Sequence, residues 1–561
     1  MSLFLIALIV VAVLALGYRY YGGFIAAQYQ LDPNARTPAV AVNDGVDFVP
    51  TRPFYLLGQH FSAIAAAGPI AGPIMAGQQF GWLPALLWIG LGVVFIGAVH
   101  DFSTLVASVR HGGHSIAEVV REQLGRNAWL AITLFIYLSL VYVIVAFTDV
   151  TASTFVSGDV ELKGLETKFN PGGAVALAAV LYLSLAVVLG FVERYLKPPL
   201  WLSTAIFVPA TLFVVWLGTR MSTVLTLDAS TWSILILAYC FVASLTPVWA
   251  LLQPRGYLGG FVLYLAIGAG VIGVFFGGFE VTQPALSHKP ETGIGTAMFP
   301  FLFVTIACGA CSGFHGLVCS GTTSKQIQAE PHCKSVGFGA MLLEGFVAVI
   351  ALATVMIASN ADLAGKGPGA VYGQGLGRFL TVLIGKDNLV FATTFGAMAF
   401  STFVFDTLDV ATRLGRYLLQ ELFQWQGRVA ALVATGVTCA VPLAFVLMAG
   451  PGAYRSFWTL FGTSNQLLAA LSLLGVSVWL KRSGKRFWYT FYPMLFVLTI
   501  TLWSLLLQIK AGFAAGSTAI QTINAAVSVV LFVLAVGLNF HGLRALFGRE
   551  PELTTHSATA A

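Results

Sequence analysis

Two long apolar stretches of the chain are interrupted midway by residues that a membrane-crossing helix does not tolerate in its interior. The first runs from His60 to Pro73 and carries Gly68, Pro69, Gly72 and Pro73; the second runs from Cys308 to Thr323 and carries Ser312, Gly313, Ser320 and Gly321. Both are apolar enough to lie in a bilayer, where backbone groups freed by a break are tolerated only if protein or a water-filled cavity satisfies them. A matched pair of broken helices in two halves of one chain is the sequence sign of a transporter's binding site.

The composition agrees. Of 561 residues, 58% are hydrophobic and 9% charged, with a mean hydropathy of +0.86, whereas soluble domains carry about 25% charge. Windows of about 20 apolar residues, the length that crosses the hydrocarbon core, give about fifteen spans. They run approximately over 2–18, 54–77, 82–109, 128–156, 172–193, 199–219, 230–252, 257–279, 298–323, 336–359, 387–410, 428–449, 456–480, 487–508 and 521–541. The expected fold is an all-α polytopic membrane protein with no separate soluble domain. The net charge of +6 does not point to nucleic acid, because the basic residues sit in short clusters between apolar runs.

Those clusters fix a topology. The first span has no basic residue before it and Arg19 directly after, which favours an external N-terminus over a cleaved signal. Counting loops from there puts Arg19, Arg36, Arg52, Arg110, Arg121, Arg126, Arg194, Lys197, Arg255, Lys325, Lys334, Arg413, Arg416, Arg428, Lys481, Arg482, Lys485, Arg486, Arg544 and Arg549 inside, most of the 29 basic residues. The C-terminus is then cytoplasmic, and the segment 371–385 is left as a re-entrant or interfacial piece. The two broken spans run antiparallel, as the first helices of two inverted five-helix repeats do. The expected division is an extra helix in 1–27, a first repeat over 28–229, linking helices over 230–297, a second repeat over 298–486, extra helices over 487–549 and a flexible tail over 550–561.

Several stretches are idiosyncratic as well as readable: Asn43 to Gly45, Val49 to Thr51, His60 to Pro73, Gly97 to Asp101, Arg110 to Gly113, Ser312 to His315, Ser320 to Thr323, Thr407 to Arg413 and Phe461 to Gln466. Together they resemble the carbon starvation protein A family. The resemblance implies a multi-pass carrier of the bacterial inner membrane, related to the amino acid, polyamine and organocation transporters with a five-plus-five inverted-repeat core. It also implies a substrate, either pyruvate taken up with a proton or peptides. His100 stands where members of the family can carry Gln, so its function is open.

The residues support site assignments of their own. A broken helix exposes N–H groups at the start of its second half, a ready carboxylate site. Substrate contacts are therefore expected from Gly68, Pro69, Gly72, Ser312, Gly313, Ser320, Gly321, Thr322 and Thr323, and from Asn465 and Gln466, whose amides need partners inside a span; the small residues also suit tight helix crossing. His60, His315 and Glu344 are the candidates for proton coupling, since intramembrane ionisable groups default to function. Asp101, with Arg110 further along its helix, and Asp409, with Arg413 at i+4, read as gating or structural ion pairs. Asp406 shares a face with Asp409 at i+3, and the pair could hold a proton or a cation.

Cys308, Cys311, His315 and Cys319 have helical spacing that would suit a metal, although cysteine is equally a small packing residue; no cofactor is expected. The segment 113–126 reads as an amphipathic cytoplasmic helix. The leading function is a secondary transporter importing a small carboxylate, pyruvate first, by proton symport; a proton-coupled peptide carrier is the alternative, with a nutrient-sensing receptor or a channel more distant. It is not read as an enzyme. The partners are the substrate, the proton and the lipid bilayer, with an accessory protein and the oligomeric state left open.

Overall fold

Runs of about 20 apolar residues leave the backbone no partner in a bilayer except its own next turn, so each run winds into a helix. The computed structural model describes residues 2–45, 47–156, 169–287 and 297–548, and 12 of its helices are long and apolar enough to cross a membrane. In chain order the helices are α1 (Leu3–Tyr29), α2 (Pro53–Ile64), α3 (Gly68–Phe80), α4 (Trp82–Arg110), α5 (Ile116–Leu124), α6 (Arg126–Phe155), α7 (Pro171–Tyr195), α8 (Leu200–Arg220), α9 (Ala229–Leu245) and α10 (Leu252–Phe276). They continue with α11 (Met298–Thr305), α12 (Gly313–Gly321), α13 (Lys334–Met356), α14 (Pro368–Ile384), α15 (Leu389–Leu422), α16 (Gly427–Ala449), α17 (Tyr454–Arg482), α18 (Trp488–Gly512) and α19 (Ala519–Phe547). Extended pairing among the described residues is limited to two isolated bridges, Ser2 with Glu280 and Thr51 with Ile327.

Three expected spans differ from the simple picture. The one at 230–252 is α9, an apolar helix that stops at Leu245. Those at 54–77 and 298–323 are the interrupted pairs α2/α3 and α11/α12. The segment at 371–385 is α14, laid along α15 and α10. The expected tail at 550–561 lies outside the described residues.

The packing has an exchange pattern. At the centre α6 lies on α15; α9 lies on α16, and each of those two touches both α6 and α15. Helix α10 packs on α15 as α17 packs on α6, and α13 packs on α3 as α4 packs on α12. Helices α7 and α8 form a hairpin on the outside of α15. The most apolar stretch of α17 is wholly buried, which is why this helix can carry Thr463, Ser464, Asn465 and Gln466 without exposing them to lipid.

The first break has a local cause. Helix α3 starts at Gly68 with Pro69 in its first turn, where a missing N–H costs nothing, and Ala65 to Ala67 join it to α2. Close approach explains the glycines. A Cβ at Gly72 would lie 2.6 Å from the Thr305 carbonyl oxygen, one at Gly68 would collide with Cys308, and one at Gly313 would lie 2.5 Å from Leu468 Cβ and 2.6 Å from the Ala469 nitrogen.

On the side that the basic loops mark as cytoplasmic, Arg110 ties several ends together. It donates to both oxygens of Glu330, at 2.9 and 2.8 Å, and to the Tyr29 carbonyl at 3.0 Å; Lys485 donates to the same carbonyl at 2.8 Å. Burial opposes the charge on Glu330, but the bonds from Arg110 outweigh it and hold the carboxyl below its ordinary range. A depressed carboxylate contributes stability that is present above its unfolded pKa and lost as pH falls through the folded value. Replacing Glu330 with Gln should therefore lower the melting temperature in detergent near neutral pH and flatten its acid limb, read by thermal unfolding at several pH values. Gly313→Ala should cost about 1–3 kcal/mol through overpacking against rigid backbone, whereas Gly321→Ala, with nothing within 4 Å of the new Cβ, should leave the melting temperature unchanged.

Candidate functional site

Three helices bring four ionisable side chains into one buried line. His100 and Asp101 come from α4, His315 from the first turn of α12 and Glu344 from α13, and all four are at most 1% exposed. His315 sits between two acids: its Nδ1 is 2.9 Å from Asp101 Oδ2 and its Nε2 is 3.2 Å from Glu344 Oε2. The other oxygen of Asp101 is 2.7 Å from His100 Nδ1, while His100 Nε2 and both oxygens of Glu344 are buried without a hydrogen-bond partner, the contact of Glu344 with His315 being at ion-pair distance.

This geometry sets a minimum proton count. A neutral imidazole has one N–H, so it can donate to only one of two flanking carboxylates. The second nitrogen would then turn a lone pair toward a carboxylate lone pair, which a buried site does not tolerate. Either His315 is an imidazolium or one acid is protonated; in both cases the Asp101, His315 and Glu344 group carries one negative charge, and one further proton makes it neutral.

His60 is different in kind. Its Nδ1 is 2.8 Å from Thr323 Oγ1 and its Nε2 is 3.8 Å from Cys319 Sγ, and among the described residues it makes no ion pair. It ties the inner half of one broken helix to the inner half of the other.

The second break is held by side chains. Asn465 Oδ1 accepts from the Phe314 N–H at 2.9 Å, and its amide donates to Ser312 Oγ at 3.1 Å and Cys308 Sγ at 3.2 Å. Gln466 donates to the Phe303 carbonyl at 2.9 Å, as Trp88 does at 3.2 Å, and Trp458 donates to the Thr305 carbonyl at 3.1 Å. The rings of Phe147 and Phe461, with centroids 5.3 Å apart, and Trp458, 6.0 Å from Phe147, stand beside this point; Phe147 is also the ring that a Cβ at Gly68 would touch.

The expected substrate contacts therefore divide. Gly68, Pro69, Gly72, Ser312, Gly313, Asn465 and Gln466 gather around the two breaks. Ser320, Gly321, Thr322 and Thr323 lie at the far end of α12. There Ser320 accepts from the Ile116 N–H at 3.0 Å and donates to the Gly316 carbonyl at 2.6 Å, while Thr323 meets His60. The metal arrangement fails for a similar reason. Helix α12 begins at Gly313, so Cys308 and Cys311 lie outside it and helical spacing does not apply, and no group of three or more His, Cys, Asp or Glu among the described residues could hold a metal ion.

The ion pairs are also redistributed. Asp101 pairs with the two histidines rather than with Arg110, which reaches Glu330. Asp409 pairs with Arg255 rather than with Arg413, whose guanidinium donates to the Ala243 and Thr246 carbonyls at 2.8 and 2.9 Å. Arg255, counted from sequence with the cytoplasmic loops, is completely buried in α10: α9 ends early and α10 starts early, which draws the arginine into the bundle. A basic residue at a span boundary with two acids elsewhere in an apolar helix was the available signal. Asp149 caps α17, accepting from the Tyr454 N–H at 2.7 Å. Segment 113–126 does form a helix, α5, but its apolar face packs on α6 and α17.

Fold and site together define a many-helix membrane protein built around two discontinuous helices and a buried acid–histidine line. Carbon starvation protein CstA, as a family, matches residues 1–365 and 353–504, and the chain belongs to that family. It is 31% identical to the peptide transporter CstA of Campylobacter jejuni, over 88% of this chain and 78% of that protein. It is 30% identical to the pyruvate/proton symporter BtsT of Escherichia coli, over 89% of this chain and 80% of that protein. A solved manganese transporter of Eremococcus coleocola superposes with a TM-score of 0.46 at 13% identity, covering 90% of this chain and 99% of that one.

Removing the Asn465 side chain leaves the Phe314 N–H without its acceptor at membrane depth. Asn465→Ala should destabilise the protein by about 1–3 kcal/mol and speed alkylation of Cys308 by a thiol reagent, measured by thermal unfolding and mass spectrometry.

Proposed function

We propose that this chain is a secondary active transporter that imports a small carboxylate, pyruvate first, together with a proton. That it is a membrane transporter and not an enzyme follows from its family and its relatives. The observation that carries the coupling is His315, held between Asp101 and Glu344 two residues inside the second broken helix. The carboxylate is read into the space where the first turns of α3 and α12 face the breaks, since helix N-termini favour anions. Protonating Glu344 neutralises the line beside that space, and a cargo of one proton and one monocarboxylate is electrically neutral, so loading leaves the carrier's charge unchanged. His60 then serves the joint between the broken helices rather than the proton.

The neighbour exchange in the packing supports two inverted repeats. The first is read as α2 to α10 with the α7–α8 hairpin inserted, and the second as α11 to α17 with α14 added. In this division α9 and α10 complete the first repeat instead of linking the two. Taking α9, α2/α3 and α11/α12 as crossings alongside the twelve long helices gives fifteen spans, an external N-terminus and a cytoplasmic C-terminus in the bacterial inner membrane. Peptide uptake is the second reading, favoured by the name of the Campylobacter relative; a peptide's carboxylate would use the same donors.

Purified protein in liposomes should accumulate labelled pyruvate when the outer solution is made acidic, and unlabelled dialanine should not compete. Dialanine uptake in place of pyruvate would overturn the substrate while keeping the coupling. Glu344→Gln should lose gradient-driven accumulation by at least about tenfold, one turn of the proton's free energy, while retaining exchange of labelled for unlabelled substrate. Unchanged accumulation in that variant would remove Glu344 from the mechanism.

A further inference from the structure

A second group of buried charges lies apart from the His315 line, where α10 meets α15. Arg255 is completely buried, and its guanidinium meets two acids. Asp406 Oδ1 accepts from Nε at 3.0 Å and from Nη2, and Asp409 Oδ2 is 2.5 Å from Nη1. The Tyr239 hydroxyl, from α9, donates to Asp409 Oδ2 at 2.9 Å and accepts from Arg255 Nη1 at 2.9 Å.

Counted at ion-pair distance, two carboxylates face one guanidinium, so the pair of acids has one ion-paired cation between them. Tyr239 supplies a neutral donor to Asp409 Oδ2, while Asp409 Oδ1 is buried with no hydrogen-bond partner. Of the other ionisable groups around the cluster, Arg413 adds a longer-range positive charge to Asp409, and none makes a further ion pair with either acid among the described residues. Tyr182 of α7 donates to the Arg255 carbonyl at 2.9 Å. Cys240 of α9 and Cys439 of α16 are neutral thiols beside it. Arg413 and Arg416, further along α15, bind the last carbonyls of α9 at Ala243, Ser244 and Thr246, where they balance the negative end of that helix. From α2 the facing group is the uncharged Ser62.

The cluster also has a way out. The Asp406 side chain is 25% exposed although Arg255 is not. Its Oδ2 is 2.9 Å from where a Cβ on Gly259 would lie, and the next residue, Gly260, faces the Ser62 hydroxyl of α2. Asp406 thus keeps an accessible edge beside Gly259 of α10, one residue from the point where α10 meets Ser62 of α2.

We propose that Asp406 and Asp409 share a second transported proton, ordered by Arg255 and Tyr239, so that two protons accompany each monocarboxylate and one net positive charge moves inward per cycle. The proton forms an O–H bond to one carboxylate on the outer side and leaves to water on the cytoplasmic side; nothing is oxidised or reduced. This rests on the proton-coupled carboxylate reading above, and the site is distinct from the one that reading uses.

The test is labelled pyruvate uptake in liposomes with the pH gradient and the membrane potential set independently. In the wild-type protein an inside-negative potential of about 60 mV should raise steady-state accumulation about tenfold at a fixed pH gradient, the equivalent of one elementary charge. Asp406→Asn and Asp409→Asn should remove that dependence on potential while pH-driven accumulation persists, and Asp406→Glu should restore it. Wild-type accumulation that responds to pH but not to potential would overturn the second proton and leave the first reading intact. Potential dependence that survives in both Asn variants would also overturn it, since the charge would then travel elsewhere. No pyruvate accumulation under either gradient would instead sink the carboxylate reading itself.

Discussion

A backbone carbonyl or N–H without a partner is costly inside a bilayer, and the architecture around the second broken helix is an answer to that cost. Between Thr305 and Gly313 the helical ladder is interrupted, and four side chains from two other helices satisfy backbone groups at its edges: Asn465, Gln466 and Trp458 from α17 and Trp88 from α4. To deliver those groups α17 must run through the middle of the bundle, and to be buried there it must be surrounded on all sides. The central place of α17, its capping by Asp149 and the close approach at Gly313 follow from that one requirement.

Charge is distributed by the same economy. The bundle buries His100, Asp101, His315 and Glu344 in one line and Arg255, Asp406 and Asp409 in another. Each group joins side chains from at least two helices, so each is assembled only by the tertiary fold. Leaving one partner out of a buried ionic group is strongly destabilising, which makes both lines constraints on how the helices sit.

Much of this was legible in the chain. The breaks and the long apolar spans followed from composition and from the cost of polar groups in hydrocarbon, which also singled out His315 and Glu344, two residues that the fold buries side by side. What failed was pairing. Asp409 and Arg413 are four residues apart on one helix, yet each finds a better partner across a helix boundary. Local spacing cannot reveal this, because the competing acceptors belong to other segments. Likewise the cysteine spacing assumed a continuous helix, and the break that makes the region informative also cancels the helical register for Cys308 and Cys311. Arg255 was misplaced because a hydropathy window cannot fix a span's end to within a turn.

The two broken helices are stitched to each other at both levels. On the inner side His60 meets Thr323, and the Val49 and Thr51 N–H groups bond the Lys325 and Gln326 carbonyls at 3.2 and 3.0 Å. On the outer side Gly72 lets α3 rest directly on the Thr305 carbonyl. An inner pair and an outer pair are thereby each made into one leaf, and the interruptions at 65–67 and 306–312 are the pin between them. The two breaks therefore do not stand as independent joints: each half of one broken helix is bonded or packed to the matching half of the other.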